Sequence, residues 1–352
     1  MFAGTVLALL LGGLAYAYDP FAGPTYRGPR SDHFDGKRFF NPGEPEPRGL
    51  RDFIRWRISA APGPWLRYDA VPSGPPPPKT VTGGGLRITF INHATVLIQI
   101  AGVNILTDPV WSNRVGPVSW VGPRRRRAPG LHLDALPEIH VVLLSHNHYD
   151  HLDLPTLKII KRAHRPVFVA PLGVAALLES AGLGGAIELD WWATTELGRA
   201  IRATCVPAQH FSMRGLRDRN NTLWCGYVLE GPAGAIYFAG DTGYGAHFEQ
   251  IARRFAPFRL ALLPIGAYRP EWFMSPVHMS PEDAVRAARA LGAQTCVAMH
   301  FGTFALADDG QFEPVDDLRR ALGVSGAAAF EFWVLNGGEG RDAPPAASSS
   351  GL

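Results

Sequence analysis

The sequence is poor in cysteine and in charge. Its three cysteines, Cys205, Cys225 and Cys296, are odd in number and widely spaced, so no disulfide framework is indicated. Charged residues make up 18% of the 352 residues and the net charge is only +3, a balance that argues against a general nucleic-acid-binding protein. No internal repeat is visible. The 46% share of hydrophobic residues is enough for a sizeable core.

Lysine and arginine are also missing from the apolar N-terminal segment, Phe2–Ala17. The segment has the length of a signal-peptide core and is short for a membrane-spanning helix. Ala15-Tyr16-Ala17 fits a small-x-small cleavage site. We therefore predict a signal peptide or membrane anchor over residues 1–18, and a membrane-associated or exported protein whose side of the membrane stays open.

The remaining chain divides by composition into three parts. Residues 19–85 are rich in proline and glycine, including the run Pro75–Pro78, and are predicted to form an extended arm followed by a polyproline linker. Residues 86–341 mix strand-like and helix-like patterns and predict one α/β domain. Residues 342–352 are small and polar and are predicted to be a disordered tail.

The most informative stretch is Ser145-His146-Asn147-His148-Tyr149-Asp150-His151. It directly follows the short apolar run Ile139–Leu144, which predicts a buried strand. The cluster is therefore placed on the loop at the carboxyl end of that strand, where α/β folds tend to carry their chemistry. Imidazoles and a carboxylate are ligands that zinc prefers, so this loop is predicted to bind metal.

Three more ligand-type residues, His210, Asp241 and His300, each end a strand-like run. One histidine after a strand means little by itself. Four strand-end clusters that together supply five histidines and two aspartates exceed what one tetrahedral zinc needs. They suit two metals that share a bridging carboxylate.

These motifs, in this order, resemble the metallo-β-lactamase superfamily, and within it the N-acyl-phosphatidylethanolamine-hydrolysing phospholipase D family. The resemblance covers roughly residues 26–325. It rests on the following segments: Asn92-His93-Ala94-Thr95-Val96, Ser145–Asp153, Pro207-Ala208-Gln209-His210, Ala239–Tyr244, Met299–Phe304, and Trp272-Phe273-Met274 followed by His278, Pro281, Glu282 and Ala284.

The resemblance implies a four-layer αβ/βα sandwich with the metals at one edge between two sheets, whereas the sequence pattern alone gives only α/β. It also implies two Zn²⁺ per chain, although other divalent metals use similar ligands. The expected ligands are His146, His148 and His210 for the first metal, Asp150, His151 and His300 for the second, and Asp241 as the bridge.

Four further assignments complete the predicted site. Asp108 is expected to orient a ligand histidine from behind, as ligating imidazoles require, and His93 is given a similar supporting position. His278 and Tyr149 are expected to contact substrate, and His278 is grouped with Asp150 and Asp241 as catalytic. The basic run Arg124–Arg127 fits either a solvated loop or a stretch that binds lipid headgroups.

The function that this resemblance implies is a di-zinc phosphodiesterase. A metal-bound hydroxide would cleave N-acyl-phosphatidylethanolamine-like phospholipids to phosphatidic acid and N-acylethanolamine. The same ligands also suit a lactonase, a smaller phosphodiesterase or a nuclease, because the ligands do not decide whether carbon or phosphorus is attacked. An alternative outside enzymes is a membrane-anchored binding protein with structural metals. The expected partners are a phospholipid or other small-molecule substrate, a membrane surface and a second copy of the chain, but no nucleic acid.

Overall fold

The computed structural model describes residues 19, 21–43, 48–324 and 330–345, which contain two seven-stranded sheets. The strands are β1 (Leu86–Asn92), β2 (Thr95–Ile100), β3 (Val103–Thr107), β4 (Val141–Leu143), β5 (Val167–Pro171), β6 (Ile187–Leu189), β7 (Thr194–Glu196), β8 (Arg202–Val206), β9 (Gly226–Glu230), β10 (Ala235–Phe238), β11 (Phe258–Pro264), β12 (Thr295–Met299), β13 (Glu331–Trp333) and β14 (Gly340–Asp342).

Both sheets follow the same succession of pairings. The first has the order β14-β1-β2-β3-β4-β5-β6 and the second the order β7-β8-β9-β10-β11-β12-β13. In each, the first three pairings are antiparallel and the last three are parallel. Strands β8, β10 and β12 therefore run in the same direction, so their carboxyl ends share one edge of the second sheet.

Seven α-helices lie in the described residues. They are α1 (Leu50–Ser59), α2 (Leu154–His164), α3 (Val174–Ser180), α4 (His247–Phe255), α5 (Glu271–Met274), α6 (Pro281–Leu291) and α7 (Glu313–Val324). Helices α2 and α3 share a buried cluster with the outer face of the first sheet. Helices α4, α6 and α7 pack with the second sheet. The four layers confirm the predicted αβ/βα sandwich.

Strand β2 shows why the sheets are buried on both faces. Val96, Ile98 and Ile100 join the core between the sheets, whereas Leu97 faces the outer helices. Because successive strand side chains point to opposite faces, a strand covered on both sides needs apolar residues at nearly every position. The almost unbroken apolar runs in this sequence have that physical cause.

Helix α6 is bounded at both ends by residues that cap it. The Oγ of Ser280 accepts a hydrogen bond from the backbone N–H of Asp283, and Pro281 takes the first helical position. Gly292 ends the helix in the left-handed conformation, with φ of 60°. Both ends use residues whose local chemistry favours that position. The helix thereby fixes the position of the segment before it, which carries His278.

The N-terminal arm packs over the loop that follows β8. Phe34 and Phe39 are buried against Leu223 and Trp224. The backbone N–H of Phe39 also donates to the carbonyl of Asn220. At the other end of the chain, β14 pairs with β1 across the predicted domain boundary at residue 342. The division into domains stays a prediction, and residues 346–352 lie outside the described residues.

The prediction of a membrane-associated or exported protein is wrong. Within the described ranges, no helix combines the length and the hydropathy that crossing a membrane requires. The segment on which that prediction rested, residues 1–18, lies outside the described residues. The three cysteines are buried and free.

Candidate metal centre

The ligand-type residues of the sequence meet at one edge of the sandwich. The loop after β4 carries residues 145–151, and the segments after β8, β10 and β12 carry His210, Asp241 and His300. These segments come from both sheets, and their histidine and aspartate side chains form groups whose ligand atoms all lie within 4.8 Å of one another. All seven predicted ligands take part in these groups.

The first group consists of His146, His148 and His210. Nε2 of His146 lies 2.8 Å from Nδ1 of His148, and Nε2 of His210 lies 3.2 Å from that same nitrogen. The three rings therefore direct one nitrogen each toward a common point. Three converging imidazole nitrogens are a donor set that zinc and related divalent metals accept.

The second group consists of Asp150, His151, His300 and also His93. Oδ2 of Asp150 lies 3.0 Å from Nε2 of His93, 3.4 Å from Nε2 of His151 and 3.6 Å from Nε2 of His300. The ring of His93, which was predicted to support the ligands, lies next to His300, with the two ring centres 4.1 Å apart.

Asp241 lies between the two groups. Its Oδ2 is 3.0 Å from Nε2 of His300 and 3.1 Å from Nε2 of His151. The same oxygen is 4.0 Å from Nε2 of His146 and 3.9 Å from Nε2 of His210. One carboxylate oxygen thus faces imidazoles of both groups, which is the position that a bridging ligand requires.

Several buried polar atoms at this point have no hydrogen-bond partner in the described chain. They include Nε2 of His151, Nε2 of His300 and Oδ1 of Asp241. Buried polar groups are nearly always hydrogen-bonded, so a set of converging ligand atoms without hydrogen bonds needs another partner. A divalent cation satisfies all of them, and the residues present therefore fit a metal centre.

Partners behind the ligands determine which ring nitrogen faces the centre. Nδ1 of His151 donates to Oδ2 of Asp108 at 2.7 Å, and Nδ1 of His210 donates to the carbonyl of Val277 at 2.9 Å. A ring that donates from Nδ1 keeps its Nε2 lone pair free for a metal. Asp108 itself is held by the backbone N–H and the Oγ of Ser145.

Burial keeps most of the rings neutral. It lowers the pKa of His146 and His210 well below the usual range and that of His148 to about 4. Burial alone would raise the pKa of Asp241, but His151 and His300 hold it well below its usual range. Burial would also lower the pKa of His151 and His300, but Asp241 and Asp150 outweigh it and raise the pKa of His151 well above its usual range and that of His300 to about 9. A cation that binds these two rings must therefore displace their protons.

The backbone is strained at this edge of the sheets. His93, Asp108 and His300 have φ of 47°, 32° and 60°, in the left-handed region that side chains with a Cβ rarely adopt. Gly240, before Asp241, has φ of 62°, and a Cβ there would lie 2.7 Å from Cβ of Ser145. Such strain persists where surrounding structure over-determines it, and it concentrates at functional sites.

The two predicted substrate contacts have different surroundings. Nδ1 of His278 lies 4.0 Å from Oδ2 of Asp241, and its side chain is 13% exposed, against 0% for that of His210. Tyr149 instead turns away toward Val115 and Phe304, and the guanidinium of Arg214 stacks on its ring.

Two residues that were not predicted as part of the site support the centre. The side chain of Asn41 donates to the carbonyl of His210 and accepts from Nε1 of Trp224, both at 2.9 Å. Arg125 is 1% exposed and donates to Asn92 Oδ1 at 3.0 Å. The four-arginine run is therefore not simply solvated. Nothing local distinguishes Arg125 from its neighbours, because its burial depends on contacts distant in sequence.

Comparison with known proteins agrees with this geometry. A family model described as a β-lactamase superfamily domain matches residues 103–301. The chain is 44% identical over 241 residues to an uncharacterised protein of Mycobacterium tuberculosis, covering 67% of this chain and 64% of that protein. It is 37% identical over 249 residues to the N-acyl-phosphatidylethanolamine-hydrolysing phospholipase D 1 of Caenorhabditis elegans, covering 68% and 70% of the two chains.

Among solved structures, isothiocyanate hydrolase from Delia radicum gut bacteria shares the fold, with a TM-score of 0.57 and 21% identity over 72% of this chain and 98% of that one. Fold and side-chain groups together define the class of metal-dependent hydrolases with the metallo-β-lactamase fold. The chain belongs to the β-lactamase superfamily, and among its relatives are phospholipases D that hydrolyse N-acyl-phosphatidylethanolamine. The match spans just under two thirds of the mycobacterial relative, 64% of its length.

Proposed function

We propose that the protein is a di-zinc phosphodiesterase that hydrolyses N-acyl-phosphatidylethanolamine-like phospholipids to phosphatidic acid and N-acylethanolamine. The observation that carries the proposal is the position of Asp241, whose Oδ2 lies within 4.0 Å of imidazoles from both ligand groups. The name of the Caenorhabditis elegans relative supports the choice of substrate.

In this proposal, His146, His148 and His210 hold one cation, and Asp150, His151 and His300 hold the other, with Asp241 shared. When bound, two such cations supply Lewis-acid polarisation of a phosphoryl oxygen and make a water acidic near neutral pH. The carboxylates of Asp150 and Asp241 offset the repulsion between two cations. His93, beside Asp150, keeps that carboxylate oriented through the 3.0 Å contact of its Nε2.

His278 is assigned to the substrate. The ring belongs to the possible ligand group with His210 and Asp241. Its side chain is nevertheless more exposed to solvent than that of His210. Its Nδ1 has no hydrogen-bond partner in the described chain, so an N–H is available to a phosphoryl oxygen beside Asp241. A preorganised donor of this kind stabilises charge that develops in the transition state.

The test is an assay of the full chain with a chelator control and a metal count on the same sample. N-acyl-phosphatidylethanolamine in mixed micelles is offered beside a soluble aryl phosphodiester and an N-acyl lactone. Cleavage of the lipid with about two zinc ions per chain, lost with chelator and restored by zinc, supports the proposal. Turnover of the lactone or the soluble diester alone would reject the lipid substrate while keeping the hydrolase class. The predicted homodimer stays a prediction.

A further inference from the structure

A cavity of about 370 Å³ lies next to the metal loop. One wall is formed by the segment after β3, residues 112–119, and the other by Tyr149 and residues 152–155, with Arg214 closing it. Tyr149 stands in the chain between His148 and Asp150, so this cavity borders on the predicted ligands without containing any of them.

Arg214 brings a positive charge to the cavity. Its Nη1 donates to the carbonyls of Asn147 and Leu152, at 2.7 and 3.0 Å, and its guanidinium lies 3.8 Å from the ring centre of Tyr149. Burial lowers the pKa of this guanidinium below its usual range. Among the described residues, no carboxylate lies within ion-pair distance of it. A cation withdrawn from water without a counter-ion is costly.

Arg114 brings a second positive charge. Its Nη1 donates to the carbonyl of Gly122 at 2.8 Å, and it too has no carboxylate partner in the part of the chain that the structure describes. Guanidinium groups present several N–H donors in a fixed plane, and phosphate oxygens match that geometry. The hydroxyl-bearing residues Ser119 and Tyr149 line the same cavity.

One carboxylate, Asp153, also lines the cavity, but its hydrogen-bonding capacity is already used. It accepts from the backbone N–H of Trp111 and Ser112, from Oγ of Ser112 and from Oγ1 of Thr156, at 2.6 to 3.2 Å. Its charge acts on Arg214 through space, yet it offers no oxygen to either guanidinium. The cavity therefore carries more positive than negative charge.

We propose that this cavity binds a phosphate monoester, with Arg114 and Arg214 as the cationic donors, as a site separate from the metal centre. A phosphate monoester carries a charge of about −1.5 to −2 near pH 7, which balances two guanidiniums. The ligand is either free phosphate or the headgroup of a phosphatidate. The proposal concerns binding only and needs no step of the proposed reaction.

The experiment titrates inorganic phosphate into the metal-loaded full chain and follows binding by calorimetry. Two classes of site are expected in the wild type, one at the metals and one at the arginines. Arg114→Gln should weaken one class at least about tenfold. Arg124→Gln is the matched control, because Arg124 is exposed, pairs with Arg114 through the backbone and does not line the cavity.

Asp241→Asn separates this proposal from the proposed function, since it should remove the phosphate class at the metals and leave the class at the arginines. Ser119→Tyr, which adds a ring to the lining of the cavity, should weaken the same class, and it keeps the test decisive if Arg114→Gln folds poorly. If soluble dihexanoyl phosphatidate displaces phosphate from the class at the arginines, the ligand is a lipid headgroup. If it does not, the ligand is free phosphate. Equal phosphate binding by Arg114→Gln and Arg124→Gln, or a single class in the wild type that Asp241→Asn abolishes, overturns the proposal.

Discussion

Oδ2 of Asp108 lies 2.7 Å from Nδ1 of His151, and both side chains are completely buried. The aspartate follows β3 and the histidine follows β4, two parallel neighbours in the first sheet. Through this hydrogen bond, one strand end orients a predicted metal ligand that stands on the next. The oxygen atoms of Asp108 are also engaged by Ser145, so the carboxylate links the two ends of the metal loop.

Replacing Asp108 by asparagine should weaken metal binding about 10- to 100-fold. Its two oxygens accept from the backbone and hydroxyl of Ser145 and from His151, and an amide must turn its own N–H₂ toward one of these donors. Metal affinity measured with a competing chelator tests this, with Ser145→Ala as the milder comparison. Unchanged affinity in a folded Asp108→Asn protein would remove Asp108 from its predicted role.

Replacing Asp241 by asparagine should reduce the metal content and cut lipid turnover by more than about a hundredfold. The amide has lower charge, and its N–H₂ can face His151 and His300. Asp316→Asn is the matched control, since Asp316 is exposed on α7 and its carboxylate pairs with Arg319. Full activity in Asp241→Asn would contradict a shared carboxylate.

Replacing His278 by alanine should lower turnover about 10²- to 10³-fold and leave the metal content unchanged. The prediction distinguishes a substrate contact from a metal ligand, because His278 also belongs to a possible ligand group with His210 and Asp241. Metal counting on the same preparation decides between the two roles, and loss of metal would make the ring a ligand. His278→Asn, which keeps an N–H donor, should recover part of the activity.

Replacing Gly240 by alanine should destabilise the fold more than replacing Gly182. Both glycines have left-handed φ, 62° and 78°, but a Cβ at position 240 would lie 2.7 Å from Cβ of Ser145, whereas nothing lies within 4 Å at position 182. Gly182→Ala should therefore cost about 1–2 kcal/mol from conformation alone, and Gly240→Ala about 1–3 kcal/mol more from overpacking. Urea unfolding of the chelator-treated proteins measures both, and equal losses would refute the close approach.

His33 should stabilise the fold more at low pH than at high pH. Burial lowers its pKa, but hydrogen bonds to Asp190 and Asp32 outweigh this and raise it above the ordinary 6.5. Its two ring nitrogens lie 2.6 Å from Asp32 Oδ1 and 2.7 Å from Asp190 Oδ1. A raised pKa in the folded state gives stability that is complete below about 6.5 and is lost as pH rises through the folded-state pKa.

The variant His33→Phe keeps a ring that can stack on Trp191, which lies 4.3 Å from the imidazole centre, but it has no proton to bind. The difference in unfolding free energy between wild type and His33→Phe should shrink from pH 5 to pH 9. His132→Asn, at an exposed histidine, is the matched control. A constant difference between wild type and His33→Phe across this range would rule out the titration.

The sequence by itself determined the local features of this protein, namely its strands, its helix ends and its candidate ligands. Unbroken apolar runs identify strands buried on both faces, the residues Ser280-Pro281 and Gly292 delimit α6, and the strand-end positions of histidine and aspartate indicate a metal centre. These features depend on side-chain chemistry and periodicity over a few residues, which a sequence displays directly. The family resemblance added the four-layer arrangement, which the structure confirms.

Only the tertiary structure decided which distant segments meet. It brings His93 to Asp150 across 57 residues and Asn41 to the carbonyl of His210 across 169 residues. It also buries Arg125 inside a run of four arginines and gives both sheets the same succession of pairings without a visible sequence repeat. The physical reason is that a polar side chain is stable either in water or in an interior where its hydrogen bonds are made. Which of the two occurs depends on the packing of both sheets and not on the neighbouring residues in sequence.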